Sequence, residues 1–222
     1  EVYDIEFDSI DLVPRQGETT GSYGIGGSVI LKLNVRNMIS ESDDTSWGIF
    51  GLNFVKDARL DNCYINRFDT HYRLWNLTIR DTVLGSGGLQ VTGGGLMLLE
   101  NVTNHNGWSY VNLRSDYGAF WKGEIKIING KSIIKEGVTT VRLIDSRPAT
   151  GHSYGEMLSV AERITVDGFE FEYLSNNDTY QCFLLSAPSS SSPSDYPDGR
   201  ITFPDSMRFK DVSIIGRNRG VT

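Results

Sequence analysis

The chain has only two cysteines, three histidines and six prolines in 222 residues. Cys63 and Cys182 lie far apart in sequence and leave the redox compartment unreadable. Cys63 stands in an alternating stretch and reads as a buried free thiol. His71, His105 and His152 come with no His-x-x-His and no cysteine cluster, so no metal site and no cofactor are expected. No apolar run approaches the roughly 18 residues that cross a bilayer, which argues against membrane insertion. Basic residues are also short: 21 Lys and Arg stand against 28 Asp and Glu, a net charge of −7. That balance disfavours nucleic acid and anionic membrane as partners. No segment holds a helical period over three turns. Gly93-Gly94-Gly95 lacks the Lys-Ser/Thr tail and following helix of a phosphate loop, and reads as a tight corner.

What is present is a returning phrase. A short apolar run, a polar pair with Asn, Asp or Gly, and a second apolar run recur as LNVRNMI, ARLDNCYI, LTIRDTVL, LLENVTN, IKIINGKSII, ITVDGFEF and RFKDVSII. The markers Asn37, Asn62, Asp81, Asn101, Gly130, Gly168 and Asp211 are separated by 25, 19, 20, 29, 38 and 43 residues. Steps near 20–30 residues mark a solenoid in which each coil buries its inner face on the next. The last two steps accommodate either two coils or one coil with an insertion. The 24 glycines fall mostly between short apolar runs and suit strands and turns. A sandwich or jelly roll would need more hairpin signals than Asn106-Gly107 and Asn129-Gly130. The expected fold is therefore all-β, a right-handed parallel β-helix with surface loop insertions.

One domain over 1–222 is expected. The chain starts without Met and stops after a strand-like phrase, so it reads as a fragment of a longer protein. Residues 1–13 alternate and predict one or two strands. Residues 14–28 are turn-rich and read as an extended loop, 40–48 as an acidic loop, and 105–123 as an aromatic excursion. Residues 186–200, rich in Ser and Pro, predict an exposed loop outside the stack. Leu60, Cys63, Ile65, Leu77, Ile79, Val83, Leu98 and Val102 are the candidate interior.

Three groups of residues could carry chemistry. Asp61, Asp81 and Glu100 fall near one corner of successive coils, about 4.8 Å apart. A close carboxylate pair could act as nucleophile and acid on a glycoside, but Asp and Asn also fill tight corners for local reasons. Asp69 and His71 lie two apart in an extended segment and so share a face. They are the candidate catalytic pair, with Arg67 and Arg73 on the same side as anion clamps and His71 as proton shuttle. The competing reading is a solvated edge with a local Asp–His bond. The run 105–121 sets Trp108, Tyr110, Tyr117, Phe120 and Trp121 beside Arg114 and several amides. Trp108, Tyr110, Arg114 and Trp121 are the candidate sugar-binding residues, though aromatics and arginine also favour subunit contacts.

The segment Asn66-Arg67-Phe68-Asp69-Thr70-His71, continuing through LWNLTIRDTVLG and GGLQVTGGGLMLLENV, resembles β-helix segments of bacteriophage tail spikes and appendages with the pectate-lyase-like fold. The resemblance is best over 29–130. It implies a virion protein, usually a homotrimer, that acts outside the cell on a bacterial surface polysaccharide or teichoic acid and in some members cleaves it. The chain departs from the pectate lyases, because Ser146-Arg147-Pro148-Ala149 lacks their second Arg. It departs from the polygalacturonases, because Asp43-Asp44 and Gly151-His152-Ser153 stand without the other two phrases. Neither activity is assigned. The sequence leaves three functions open: a glycan-recognising spike with or without cleavage, a structural or oligomerisation spacer of a larger spike, and a secreted polysaccharide lyase or hydrolase.

Overall fold

A computed structural model describes residues 3–13, 23–40, 48–147, 158–174, 181–186, 201–202 and 204–216. The strands are β1 (Tyr3–Asp8), β2 (Asp11–Leu12), β3 (Tyr23–Arg36), β4 (Ile39–Ser40), β5 (Gly48–Asp61), β6 (Tyr64–Arg80), β7 (Val83–Glu100), β8 (Thr103–Asn104) and β9 (Ser109–Leu113). A 3₁₀ turn, Ser115–Tyr117, leads to β10 (Trp121–Ile134), β11 (Thr140–Asp145), β12 (Leu158–Ser159) and β13 (Arg163–Tyr173). The chain continues with β14 (Gln181–Ser186), β15 (Ile201–Thr202) and β16 (Ser206–Gly216). Every pairing is parallel and joins one coil to the next, which makes the molecule a right-handed parallel β-helix.

One interior row shows how the coils bury each other. Phe7 pairs with Val35, Val35 with Leu60, Leu60 with Ile79 and Ile79 with Leu99. The row continues through Ile127 and Val166 to Phe209, so among the described residues the stack is eight coils deep. Val35, Leu60, Ile79, Ile127 and Val166 are fully buried. Six of the eight candidate interior residues are buried: Leu60, Cys63, Ile65, Leu77, Ile79 and Val102. Val83 and Leu98 point outward instead, because Leu84, Met97 and Leu99 hold the alternate inward positions. Cys63 is a buried free thiol, and Cys182 is also unpaired.

The returning phrase is a corner. Asn37, Asn62, Asp81, Asn101 and Asp211 all have φ between 47° and 53° or close to it at 55°, and Gly168 has φ 78°. This left-handed conformation suits Asn, Asp and Gly, whose short or absent side chains tolerate it. At the fifth copy the corner is Asn129, φ 50°, and not Gly130. Ser9, φ 56°, is an eighth copy. The two long steps each hold one coil with an insertion, since β10, β13 and β16 are consecutive neighbours.

Two expected loops are corrected. Residues 23–28 belong to β3, and 109–113 form β9 inside the stack. Both are held by parallel pairing to the adjacent coil, which supplies the backbone partners a surface loop would lack. Residues 187–200 of the expected exposed loop lie outside the described residues.

Candidate functional site

The outer face of β6 carries Arg67, Asp69 and His71 at alternate positions, as the period of a strand requires. Their setting is not a solvated edge. The Asp69 side chain is fully buried, and two arginines from different coils, Arg67 and Arg114, pair with its Oδ2. The Tyr23 phenol donates to the same oxygen at 3.0 Å and lies 2.7 Å from His71 Nε2. Arg67 also donates to Gln90 Oε1 at 3.1 Å, and Arg114 Nε to Asp116 Oδ1 at 2.9 Å. Tyr23 reaches this position because residue 51 is glycine. A Cβ on Gly51 would lie 2.4 Å from the Tyr23 ring.

Aromatic rings frame the cluster. Tyr23 meets the His71 ring edge-on at 5.2 Å, and His71 lies 5.7 Å from Tyr117. Tyr72 and Phe54 extend the belt. The guanidinium groups of Arg67 and Arg114 stand over the Tyr23 and Tyr117 rings at 5.6 and 5.3 Å.

The charges are tuned by burial and by each other. Burial pushes the His71 pKa below its ordinary value; Asp69 opposes this, and Arg114 and Arg67 reinforce it. His71 is therefore a neutral imidazole at neutral pH. Burial and the Asp69 charge raise the Tyr23 pKa, so the phenol keeps its proton. Hydrogen bonds from Arg114 hold Asp116 below the usual carboxylate range. The phenol has one proton to give. When it goes to Asp69, His71 Nε2 must donate to the Tyr23 oxygen. Asp69 Oδ1 and Arg67 Nε are buried and have no hydrogen-bond partner.

The cluster is one end of a longer strip. Asp69 pairs in register with Gln90, Gln90 with Asn112, Asn112 with Asp145 and Asp145 with Ser186. Five polar side chains thus stand in line on successive coils, at about 4.8 Å per coil. Arg147 grips Asp145 with two bonds of 2.8 and 2.7 Å. Arg142 donates to Ser186 Oγ at 3.1 Å and lies over the Phe183 ring. Trp108 is 62% exposed, and its backbone carbonyl accepts the Arg142 amide.

The expected site residues divide. Arg67, Asp69, His71 and Arg114 come together, and Trp108 is exposed just ahead of β9, the strand that carries Asn112. Arg73 stands apart at an αL corner, φ 50°, over the Tyr72 ring. Tyr110 and Trp121 are corrected to core residues. Tyr110 is 1% exposed and its hydroxyl donates to the Val102 carbonyl, while Trp121 is fully buried with its indole N–H on Gly95 O. Both polar handles are used internally, so neither side chain faces a ligand. The expected carboxylate trio does not converge, because Arg80 stands between Asp61 and Glu100 in the row and binds Glu100 at 2.9 Å. Asp43-Asp44 and Gly151-His152-Ser153 lie outside the described residues. Among the described residues no group of three His, Cys, Asp or Glu could hold a metal ion.

Sequence reasoning missed Tyr23, Gln90 and Asp145, whereas Asn112 and Asp116 lie in the run 105–121 that was the candidate sugar-binding stretch. Counting one coil forward from Asp69 would have reached Gln90. Nothing local marks Tyr23, which lies 46 residues from Asp69. Comparison with protein-family models, with curated proteins and with solved structures finds no match to this chain.

Proposed function

We propose that the strip from Tyr23 to Ser186 binds an extended anionic glycan of a bacterial surface, an acidic polysaccharide or teichoic acid. The observation that carries this reading is the in-register row Asp69–Gln90–Asn112–Asp145–Ser186. Hydrogen-bonding groups repeat along it at a spacing close to one sugar unit, which suits a polymer laid along the axis. Four arginines, Arg67, Arg114, Arg142 and Arg147, face three carboxylates, Asp69, Asp116 and Asp145, on a chain whose net charge is −7. The local surplus is positive where the whole is negative. Tyr23, Tyr117 and Trp108 offer ring faces to the apolar C–H side of a sugar.

In this reading the chain is a segment of a tail-spike-like virion appendage that works outside the cell as a homotrimer. The support for that part is the β-helix itself with the tail-spike resemblance of residues 66–102. In a cleaving form, neutral His71 takes a proton from the substrate and Tyr23 gives one to the leaving oxygen. Asp69 touches no substrate. It positions the Tyr23 phenol and both guanidinium groups. The alternative is a non-catalytic spacer coil. It draws on the same ion pairs, because Asp69 already neutralises part of the Arg67 and Arg114 charge.

Affinity electrophoresis through gels containing teichoic acid or an acidic capsular polysaccharide tests the reading. Wild-type chain should be retarded, and a Trp108→Ala, Asn112→Ala variant should bind about tenfold more weakly, or about 1.4 kcal/mol. His71→Ala should abolish any saccharide release and leave retardation intact. Equal migration with and without polymer would remove the binding reading and leave the spacer.

A further inference from the structure

The charge of the strip is not spread evenly along it. At the His71 end Arg67 and Arg114 meet Asp69 and Asp116, two cations against two carboxylates. The two arginine side chains are only 19% and 12% exposed, and the Asp69 side chain is fully buried. His71 adds no charge, because burial holds its imidazole neutral. This end is balanced, and its cations are engaged inside the protein. Beside them stand the half-buried rings of Tyr72 and Tyr117, 6.4 Å apart.

The other end is unbalanced. Among the described residues Arg142 and Arg147 meet a single carboxylate, Asp145. Arg147 takes both of its oxygens, at 2.8 and 2.7 Å, while Arg142 Nε lies 3.8 Å away. Arg142 has the Ser186 hydroxyl and the Phe183 ring as its other partners, and neither carries charge. Burial lowers the Arg142 pKa, and the Arg147 charge lowers it further, as two cations sharing one counter-ion should. One cation is in excess here, and the Arg147 side chain is 49% exposed. Between the two ends the row holds only the neutral amides Gln90 and Asn112. From Asp69 to Asp145 it takes three coil steps, about 14 Å.

We propose that the strip reads one acidic unit of its ligand and reads it at the Arg142–Arg147 end. This inference rests on the glycan reading above and narrows it. The ligand is a polysaccharide with a carboxylate on about one sugar in three or four. The acid meets the surplus guanidinium, two neutral sugars pass Asn112 and Gln90, and a neutral ring lies against Tyr117 and Tyr72. Teichoic acid is the poorer ligand. It carries a phosphate on every unit and would bring one to the His71 end, where each cation already has its carboxylate. A charge desolvated there without a partner is costly. Its polyol backbone also has no ring for the two tyrosines.

Affinity electrophoresis with three polymers tests the proposal. They are a capsular polysaccharide with one carboxylate per tetrasaccharide repeat, the same polymer after chemical reduction of its carboxyl groups, and polyglycerol phosphate. Wild type should bind the acidic form about tenfold more tightly than the reduced form, and polyglycerol phosphate no better than the reduced form. Arg147→Gln should bind the acidic and reduced forms alike. Asp145→Asn frees both guanidinium groups and should widen the preference. Tyr117→Ala should weaken both forms by the same factor. A preference for the acidic form that survives Arg147→Gln overturns the proposal and leaves the glycan reading standing. Tighter binding of polyglycerol phosphate than of the acidic polysaccharide does the same. Retardation by none of the three polymers removes the glycan reading and this inference with it. Should circular dichroism show Arg147→Gln unfolded, Asp145→Asn decides, and an unchanged preference there overturns the proposal.

Discussion

Two lines of polar side chains run along this helix, and they use their hydrogen bonds differently. At the corner, Asn62 Nδ2 donates to Asn37 Oδ1 at 2.8 Å, and Asn37 in turn to Asp8. Asn101 donates to Asp81 at 2.8 Å, and Asn129 to Asn101 at 3.3 Å. Each amide donates to the corner residue of the preceding coil, in two runs, Asn62–Asn37–Asp8 and Asn129–Asn101–Asp81, so the corner residues serve one another. Along the strip, Asp69 is bound by Tyr23, Arg67 and Arg114, which come from three different coils, and still has an unsatisfied oxygen. A ladder that satisfies itself is structural. A strip that draws on distant coils and leaves buried groups unpartnered has capacity for something else.

The difference is sharpest at Asp69. Removing one partner of a buried ion pair strands the others, so Asp69→Ala should destabilise the chain by about 3–5 kcal/mol. Denaturant unfolding measures this directly. A loss below that of an ordinary surface substitution would mean that Arg67 and Arg114 reach solvent unaided, and the strip would then be no more than another exposed edge.

The corner should respond less. Asn101→Ala forces a Cβ-bearing residue without a side-chain bond into the left-handed region, at about 1–2 kcal/mol. Asn101→Gly should recover most of this, because glycine accepts that backbone. Equal losses for Ala and Gly would assign the effect to the ladder bond and not to the conformation.

These contrasts explain what the sequence revealed. The corner was legible because its chemistry is local: a positive φ selects Asn, Asp or Gly at each turn of the solenoid, and the inward alternation beside it needs only the neighbouring residues. Gly130 was mistaken for Asn129 because either residue satisfies that rule. The strip was half legible. Strand alternation put Arg67, Asp69 and His71 on one face, but burial of Asp69 depends on Tyr23 and Arg114, which lie 46 and 45 residues away. Tyr110 and Trp121 misled because an aromatic in a polar run looks the same whether its ring faces the core or the solvent. The inward turn of Trp121 follows from the pairing of β10 with β7, and the burial of Tyr110 from its ring on Phe169 and its hydroxyl on the Val102 carbonyl, long-range contacts that composition does not carry.

The smallest expected effect is also the most specific to the strip. The folded His71 pKa lies below its ordinary value of 6.5, chiefly through burial. The unfolded chain therefore binds a proton that the folded chain refuses. Stability from this group is complete above the unfolded pKa and declines as pH falls through it, until the folded pKa is reached. Ring proton shifts followed by NMR should give a His71 midpoint below 6.5. Asp69 raises that midpoint while Arg114 and Arg67 lower it. Asp69→Asn should therefore move it further down, whereas a change that opened the cluster to water would move it up. Gly51→Ala is that change, since its methyl group would occupy the space of the Tyr23 ring and displace the phenol from His71. Opposite shifts in the two variants would tie His71 to both Asp69 and Tyr23. A midpoint at 6.5 in all three proteins would mean that the imidazole stands in open solvent, with no part in a strip different from the corner.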